Sequence, residues 1–314
     1  MLQLAVPLVL LVLGALVALL LVTVRTARRV EAALPPLGRF IEVGGARIHY
    51  LDRGTGPTLL LIPGLGSTMR IFTHSVVDRL AGQFRVVVMD RPRSGESTRE
   101  PRVGARVRSQ AAITSSFIRA LGLDRPVLVG HSLGGAVALA VALDHPEQVG
   151  GLALIAPLAN VQETVPVVFK RLIITSRTVR RLTAWTIATP VSILRRAQAL
   201  DQIFGPDPVP PDYATAGGGL LNLRPKSFCG ASEDLVALEG EMPALVERYP
   251  ELRLPVSILY GTSDRVLDHR LHGVEVASKI NGAELELIEG GTCCPSPRQT
   301  WSRSSSGRWP GSLR

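Results

Sequence analysis

The sequence predicts an alternating α/β fold with a mostly parallel central sheet covered by helices on both faces. Three observations predict it. Short apolar runs of strand length, rich in Val, Leu and Ile, recur along the chain. They are continuous rather than alternating, which marks strands buried on both sides, as in a parallel sheet. Helix-length stretches separate them, and strand–helix alternation is the signature of this class. No internal repeat is present.

Taken in order, residues 4–24 come first: 21 residues without a charge. As a helix they would span roughly 31 Å, enough for a bilayer core. We expect a transmembrane helix over 1–24. A cleaved signal peptide is the rival reading, but the region before the apolar run carries no Lys or Arg. Arg25, Arg28 and Arg29 follow directly, which favours a cytoplasmic body on a single-pass anchor. Residues 25–38 read as a Pro-containing linker.

Strands are expected over 40–43 and 47–51, joined by Gly44-Gly45 as a hairpin. Further strands are expected over 58–62, 85–89, 127–129, 150–155, 256–260 and 284–288. Helices are expected over 109–121 and 133–145. Residues 158–250 break the alternation with helical, Arg-bearing segments and a Pro/Gly-rich stretch. They read as a helical cap inserted between a first core part, 39–157, and a second, 251–291. The cap Arg residues read as a solvated face, with contact to anionic lipid as the alternative.

The chain has 314 residues, 35 Lys+Arg, 26 Asp+Glu and a net charge of +9. A 46% hydrophobic content excludes a disordered chain. Three Cys exclude a disulfide scaffold. Aromatics at 4% argue against a single-strand stacking platform. The basic balance suggests nucleic acid until its distribution is considered. Four Arg fall in residues 292–314 with no acid, and without them 31 bases face 26 acids. Cys293, Cys294, Trp301 and Trp309 lie in the same stretch. No nucleic-acid partner is expected. No metal-ligand spacing or phosphate loop occurs, so no metal or cofactor is expected.

The chemistry concentrates at Gly130-His131-Ser132-Leu133-Gly134-Gly135, between an expected strand and an expected helix. Gly-x-Ser-x-Gly has mechanical meaning in that context. The strand turns sharply into the helix and holds the serine in a strained conformation, and the glycines remove side chains that would clash. The hydroxyl then stands at a helix N-terminus, where developing negative charge is favoured.

With that motif the chain resembles the α/β-hydrolase family over about residues 40–291. Leu61-Ile62-Pro63-Gly64-Leu65-Gly66-Ser67 is similar to the family's loop after its third strand. Asp90-Arg91-Pro92-Arg93-Ser94-Gly95-Glu96-Ser97 resembles the loop after the fourth, and Leu259-Tyr260-Gly261-Thr262-Ser263-Asp264 the strand that presents the acid. The family usually has His where Pro63 stands and Gly near Arg93. The resemblance implies Ser132 as nucleophile, the backbone N–H groups of Leu65 and Leu133 as oxyanion hole, and Asp264 as the acid orienting a histidine. Haloalkane dehalogenases and epoxide hydrolases place Asp at the nucleophile position, so Ser132 argues against both.

A serine hydroxyl needs a histidine to take its proton. The family supplies it after the last strand. Here Glu289-Gly290-Gly291 continues as Thr292-Cys293-Cys294-Pro295, and no His follows His272. Codons offer a reason. If the Gly291 codon ends in C, a reading shifted one base earlier turns Thr292 into CAC, histidine, and gives an ending that resembles the family's. We read 292–314 as an aberrant, disordered tail from a frame shifted by one lost base, with a genuine divergent C-terminus as the alternative. His269 and His272 are poor substitutes, and His131 is a common neighbour of the nucleophile. His49, His74 and His145 read as surface or structural. Loss of a triad histidine costs on the order of 10⁶ in turnover. The tail also lacks an apolar helical face, which predicts an exposed strip of sheet.

The expected function is a membrane-anchored serine hydrolase acting on small-molecule carboxylic esters through an acyl-enzyme. The alternatives are a catalytically inactive membrane-tethered binding protein, or a cofactor-free haloperoxidase or C–C bond hydrolase.

Overall fold

The computed structural model describes residues 2–74, 76–238 and 240–291. The tail expectation, including the frame of 292–314 and its two cysteines, lies outside these residues. The described sheet has nine strands: β1 (Arg39–Val43), β2 (Ala46–Arg53), β3 (Thr58–Ile62), β4 (Arg85–Met89), β5 (Thr98–Arg99), β6 (Val127–His131), β7 (Gly151–Ile155), β8 (Val256–Gly261) and β9 (Glu284–Ile288). Their spatial order is β1-β2-β4-β3-β6-β7-β8-β9, and β5 pairs with β2 at the side. The β1–β2 hairpin and the β2–β4 pair are antiparallel. Every pair from β4 to β9 is parallel. The expected fold class is therefore present, antiparallel edge included.

The central strands β3, β4, β6 and β7 are almost wholly buried. That accounts for their continuous apolar runs. Leu60, Ile62, Val87 and Leu128 pack on one face with the helices Val107–Ala120 and Leu133–Asp144. Leu59, Leu61, Val86 and Val88 pack on the other with Phe72 and Val77. Leu133–Asp144 lies in the middle of the larger core, and every residue from Leu133 to Leu143 is buried. A helix apolar all round is the type that can be buried all round. At the other edge, β9 pairs only with β8 among the described residues, and Leu287 is exposed.

Two boundaries differ from expectation. Strand β6 runs on through Gly130 and His131, because parallel pairing with β7 reaches His131↔Ile155. The N-terminal helix covers Leu2–Ala33, well beyond the apolar run. Its far end is no linker: Ala27, Val30 and Leu34 are buried, with Val30 and Leu34 packed on Leu221. Tertiary contact there continues the helix past the membrane-length stretch, and only 34–38 remain as a connection. The apolar part projects freely, with Leu8, Leu10 and Leu11 more than half exposed.

Between β7 and β8 the chain leaves the sheet. It forms the helices Arg177–Trp185, Ala188–Leu194, Arg196–Phe204, Pro225–Ala237 and Met242–Glu247 with short 3-10 turns. Phe228 and Cys229 form a small core there with Leu172 and Ala184. Ion pairs tie the insertion to the sheet loops. Arg91 meets Asp234 at 2.7 Å with both buried, and Arg224 pairs with Glu96.

Candidate active site

Ser132 sits where β6 ends and the helix Leu133–Asp144 begins, with φ 51° and ψ −122°. A non-glycine residue in that region carries strain of about 1–3 kcal/mol, which the surroundings must over-determine. Several bonds do so. The Ser132 N–H donates to Ile155 O at 3.1 Å, and its carbonyl accepts from Gly135 N at 2.8 Å and Leu158 N at 3.0 Å. The glycines are needed for close approach. A Cβ on Gly134 would collide with the Ile62 carbonyl, and one on Gly130 would come within 2.6 Å of the Gly135 Cα.

The loop after β3 lies directly against this turn: a Cβ on Gly64 would approach the Ser132 Cβ to 2.9 Å. Leu65, Ser132 and Leu133 border one cavity. Among the described residues, neither the Leu65 nor the Leu133 N–H donates to a backbone carbonyl.

Arg91 holds that loop. Its guanidinium is fully buried and donates to Pro63 O at 2.8 Å and Gly64 O at 2.9 Å. It also donates to Gln110 Oε1 and Asp234 Oδ2. With the Pro63 and Gly64 carbonyls turned toward Arg91, the Leu65 amide is fixed in direction. Nothing in the sequence alone assigns Arg91 this role. Its only signal was a charged residue beside a proline in the Asp90 loop.

Asp264 follows β8, one strand beyond β7. Its Oδ1 accepts from Val266 N at 2.7 Å and Leu267 N at 3.0 Å, which fixes the carboxylate against the following turn. Asp264 borders an outer cleft with His269, whereas Val266 borders the cavity at Ser132. Ser132, Leu65 and Leu133 line one cavity, and Asp264 lines the neighbouring outer cleft, which shares Val266 and Leu267 with it.

Two of the described histidines, His272 and His49, are buried with partners of their own. His272 is fully buried, and its Nδ1 accepts from Ala159 N at 3.2 Å and Asn160 N at 3.1 Å. Its proton is therefore on Nε2, 3.0 Å from Gln162 Oε1. Burial pushes its pKa down to about 4, although Asp268, Asp264 and Glu275 pull the other way. It is a structural clamp on the loop after β7. His49 is buried, with Nδ1 2.8 Å from Asp90 and Nε2 accepting from Gly38 N. His131 borders a cavity at Ser132, and its buried Nδ1 has no hydrogen-bond partner among the described residues. The position that the resemblance assigns to the base follows Gly291, outside the described residues.

Two cavities meet at the serine. One of about 470 Å³ is lined by Leu158, Val165, Pro166, Leu235 and Met242. The other, about 190 Å³, runs under Leu172, Leu200, Ile203 and Leu223, with Arg171 and Arg196 on its wall. Leu65, Ser132, Phe169 and Val266 belong to both. The walls are chiefly apolar and come mostly from the insertion. Among the described residues, no cluster of three His, Cys, Asp or Glu is placed to hold a metal.

This sheet order with a serine at the strand–helix turn defines an α/β hydrolase, and residues 57–195 match the family described as the alpha/beta hydrolase fold. The chain belongs to that family and is an enzyme by family. An uncharacterized protein of Mycobacterium tuberculosis is 30% identical over 273 residues, 85% of this chain and 78% of that one. A 2-hydroxy-6-oxononadienedioate/2-hydroxy-6-oxononatrienedioate hydrolase of Burkholderia vietnamiensis is 27% identical over 276 residues, 84% of this chain and 90% of that one. Among solved structures, a membrane phospholipase A described as a bacterial virulence factor is 26% identical. It covers 95% of this chain and 94% of its own, at a TM-score of 0.61.

Proposed function

We propose that this chain is built as a membrane-anchored serine hydrolase for carboxylic esters, with Ser132 as nucleophile. One observation carries the reading: Ser132 is held at φ 51° on a helix N-terminus, at the junction of two largely apolar cavities. In the proposed reaction Ser132 Oγ bonds to the ester carbonyl carbon. The carbonyl oxygen takes the negative charge and receives hydrogen bonds from the Leu65 and Leu133 amides. Collapse expels the alcohol and leaves an acyl-serine, which water then hydrolyses. Two cavities at one serine suit an ester, which has an acyl side and an alcohol side. The inserted helices, 158–250, act as the lid.

The step that lacks a partner is removal of the hydroxyl proton. In this reading the base belongs directly after Gly291, where the chain has Thr292, and Asp264 is the acid that would orient it. A reading frame shifted by one base accounts for Thr292. Resequencing the gene across 289–292 tests this, and an intact frame with no base missing would overturn it. The same Thr292 favours a second reading, a tethered protein that binds its ligand without turnover. The Burkholderia relative is the reason to keep C–C bond hydrolysis as a third.

The anchor reading rests on the N-terminal helix, in which an 18-residue apolar stretch reaches a mean hydropathy of 2.9 and is exposed. A body on the cytoplasmic side follows from Arg25, Arg28 and Arg29. A fluorophosphonate probe tests the chemistry. With the restored C-terminal frame, Ser132 is expected to label and Ser132→Ala is not. The chain as written is expected to label far more slowly. A restored chain that folds and leaves Ser132 unlabelled would refute the ester reading.

A further inference from the structure

We propose that the outer face of the inserted helices, at the root of the N-terminal helix, docks on a bilayer rich in anionic phospholipid. The inference rests on the anchored reading above and extends it from a tether to an oriented contact.

The first observation is apolar. Leu182, Trp185, Ile187, Ile193 and Leu194 are all more than 40% exposed, and Leu194 reaches 83%. They lie on two consecutive helices, Arg177–Trp185 and Ala188–Leu194, and the turn between them. Exposed apolar side chains are ordinary singly; five within 13 residues (182–194) form a concentration that marks a contact surface.

The second observation is charge. From residue 164 to 200 the chain has seven Lys and Arg and no Asp or Glu. Arg180 is buried and pairs with Glu233. Arg177, Arg181, Arg195 and Arg196 are exposed and flank the apolar residues. Among the described residues none of these four forms an ion pair. Basic residues around an apolar patch fit a surface that offers acyl chains beneath anionic headgroups.

The third observation sets the depth. The N-terminal helix packs against both of these helices. Thr23 is fully buried there, with its hydroxyl donating to Thr186 O at 3.3 Å. Its exposed apolar length ends at Val22, so the helix leaves the hydrocarbon at the level of Thr186. Trp185 and Ile187 flank that residue in sequence. Trp is the side chain favoured at that interface. Arg196 also belongs to the wall of the smaller cavity at Ser132. A docked lipid would therefore lie beside an entrance to the serine.

The test uses the full chain in nanodiscs and does not depend on turnover. Trp301 and Trp309 are replaced by Phe, leaving Trp185 as the reporter. Lipids brominated near the top of the acyl chain are expected to quench Trp185 in discs containing phosphatidylglycerol. The same quenching is expected with Ser132→Ala. Replacing Arg177, Arg181, Arg195 and Arg196 by Gln should weaken docking by roughly fivefold per charge. Absent quenching in the anionic discs would overturn the proposal. So would protection of Trp185 that depends on protein concentration, because a second copy would then cover the face. Alkaline carbonate extraction checks the anchor separately: a chain that stays in the membrane without Trp185 quenching sinks only the docking. Fluorophosphonate labelling is independent of both.

Discussion

Acidification from pH 7 to pH 5 should destabilise this protein by about 2 kcal/mol through one side chain, His272. Its imidazole is fully buried, accepts two backbone N–H bonds on Nδ1 and faces Gln162 through Nε2. Protonation of Nδ1 would turn an acceptor into a donor against two donors. Burial holds the folded pKa near 4, against 6.5 in the unfolded chain. Between those values the unfolded state binds a proton that the folded state refuses, so stability falls as the pH drops. The loss begins near pH 6.5, saturates below pH 4 and reaches ~3 kcal/mol in full, at 1.36 kcal/mol per pKa unit. Urea denaturation of the detergent-solubilised protein at pH 7, 6 and 5 measures it. His272→Asn is the control, because its amide oxygen can accept the same two N–H bonds without titrating in this range. The variant should lose less stability between pH 7 and 5, by the amount assigned to His272. Parallel losses in the two proteins, or an NMR titration of His272 near 6.5, would refute the reasoning.

Three further outcomes are expected. Gly134→Ala should destabilise by about 1–3 kcal/mol, since the new methyl meets the Ile62 carbonyl on a rigid strand; the denaturation midpoint reads it, and an unchanged midpoint counts against the packing described. Arg91→Met should cost about 1–3 kcal/mol because it takes the 2.7 Å partner from buried Asp234, which keeps only Arg99 at 3.6 Å and Gln110, while Arg91→Met with Asp234→Leu should recover part of the loss. If the double variant of the frame-restored chain folds but labels with fluorophosphonate more slowly, Arg91 positions the loop as well as filling it. Removal of the exposed apolar stretch of the N-terminal helix should release the protein from membranes, as followed by fractionation.

Much of the sheet was legible because its central strands are buried on both faces. Leu59–Ile62 and Val86–Met89 have no water-facing side, so their composition alone marks them. Ser132 was legible for a different reason. A serine held at positive φ needs glycines at positions where a Cβ would strike neighbouring backbone, and those glycines stand in the chain as a local pattern. The insertion was legible only as an interruption. Its helices are short and mixed in character, and their placement depends on distant partners such as Arg91 with Asp234. The length of the N-terminal helix was misjudged for the same reason: residues 27–34 become ordered against Leu221, which is remote in sequence.

By itself the sequence determined the class of fold, the place of Ser132 at a strand–helix turn, the membrane-length helix and the lack of a histidine in residues 292–314. Each of these is written in neighbouring residues, through apolar runs, turn glycines or residue order. Only the tertiary structure decided that His272 is a clamp, that Arg91 aims the loop beside Ser132, and that two cavities meet at one hydroxyl. Those properties arise from side chains far apart along the chain whose burial and hydrogen bonds exist only once the sheet and the inserted helices have come together.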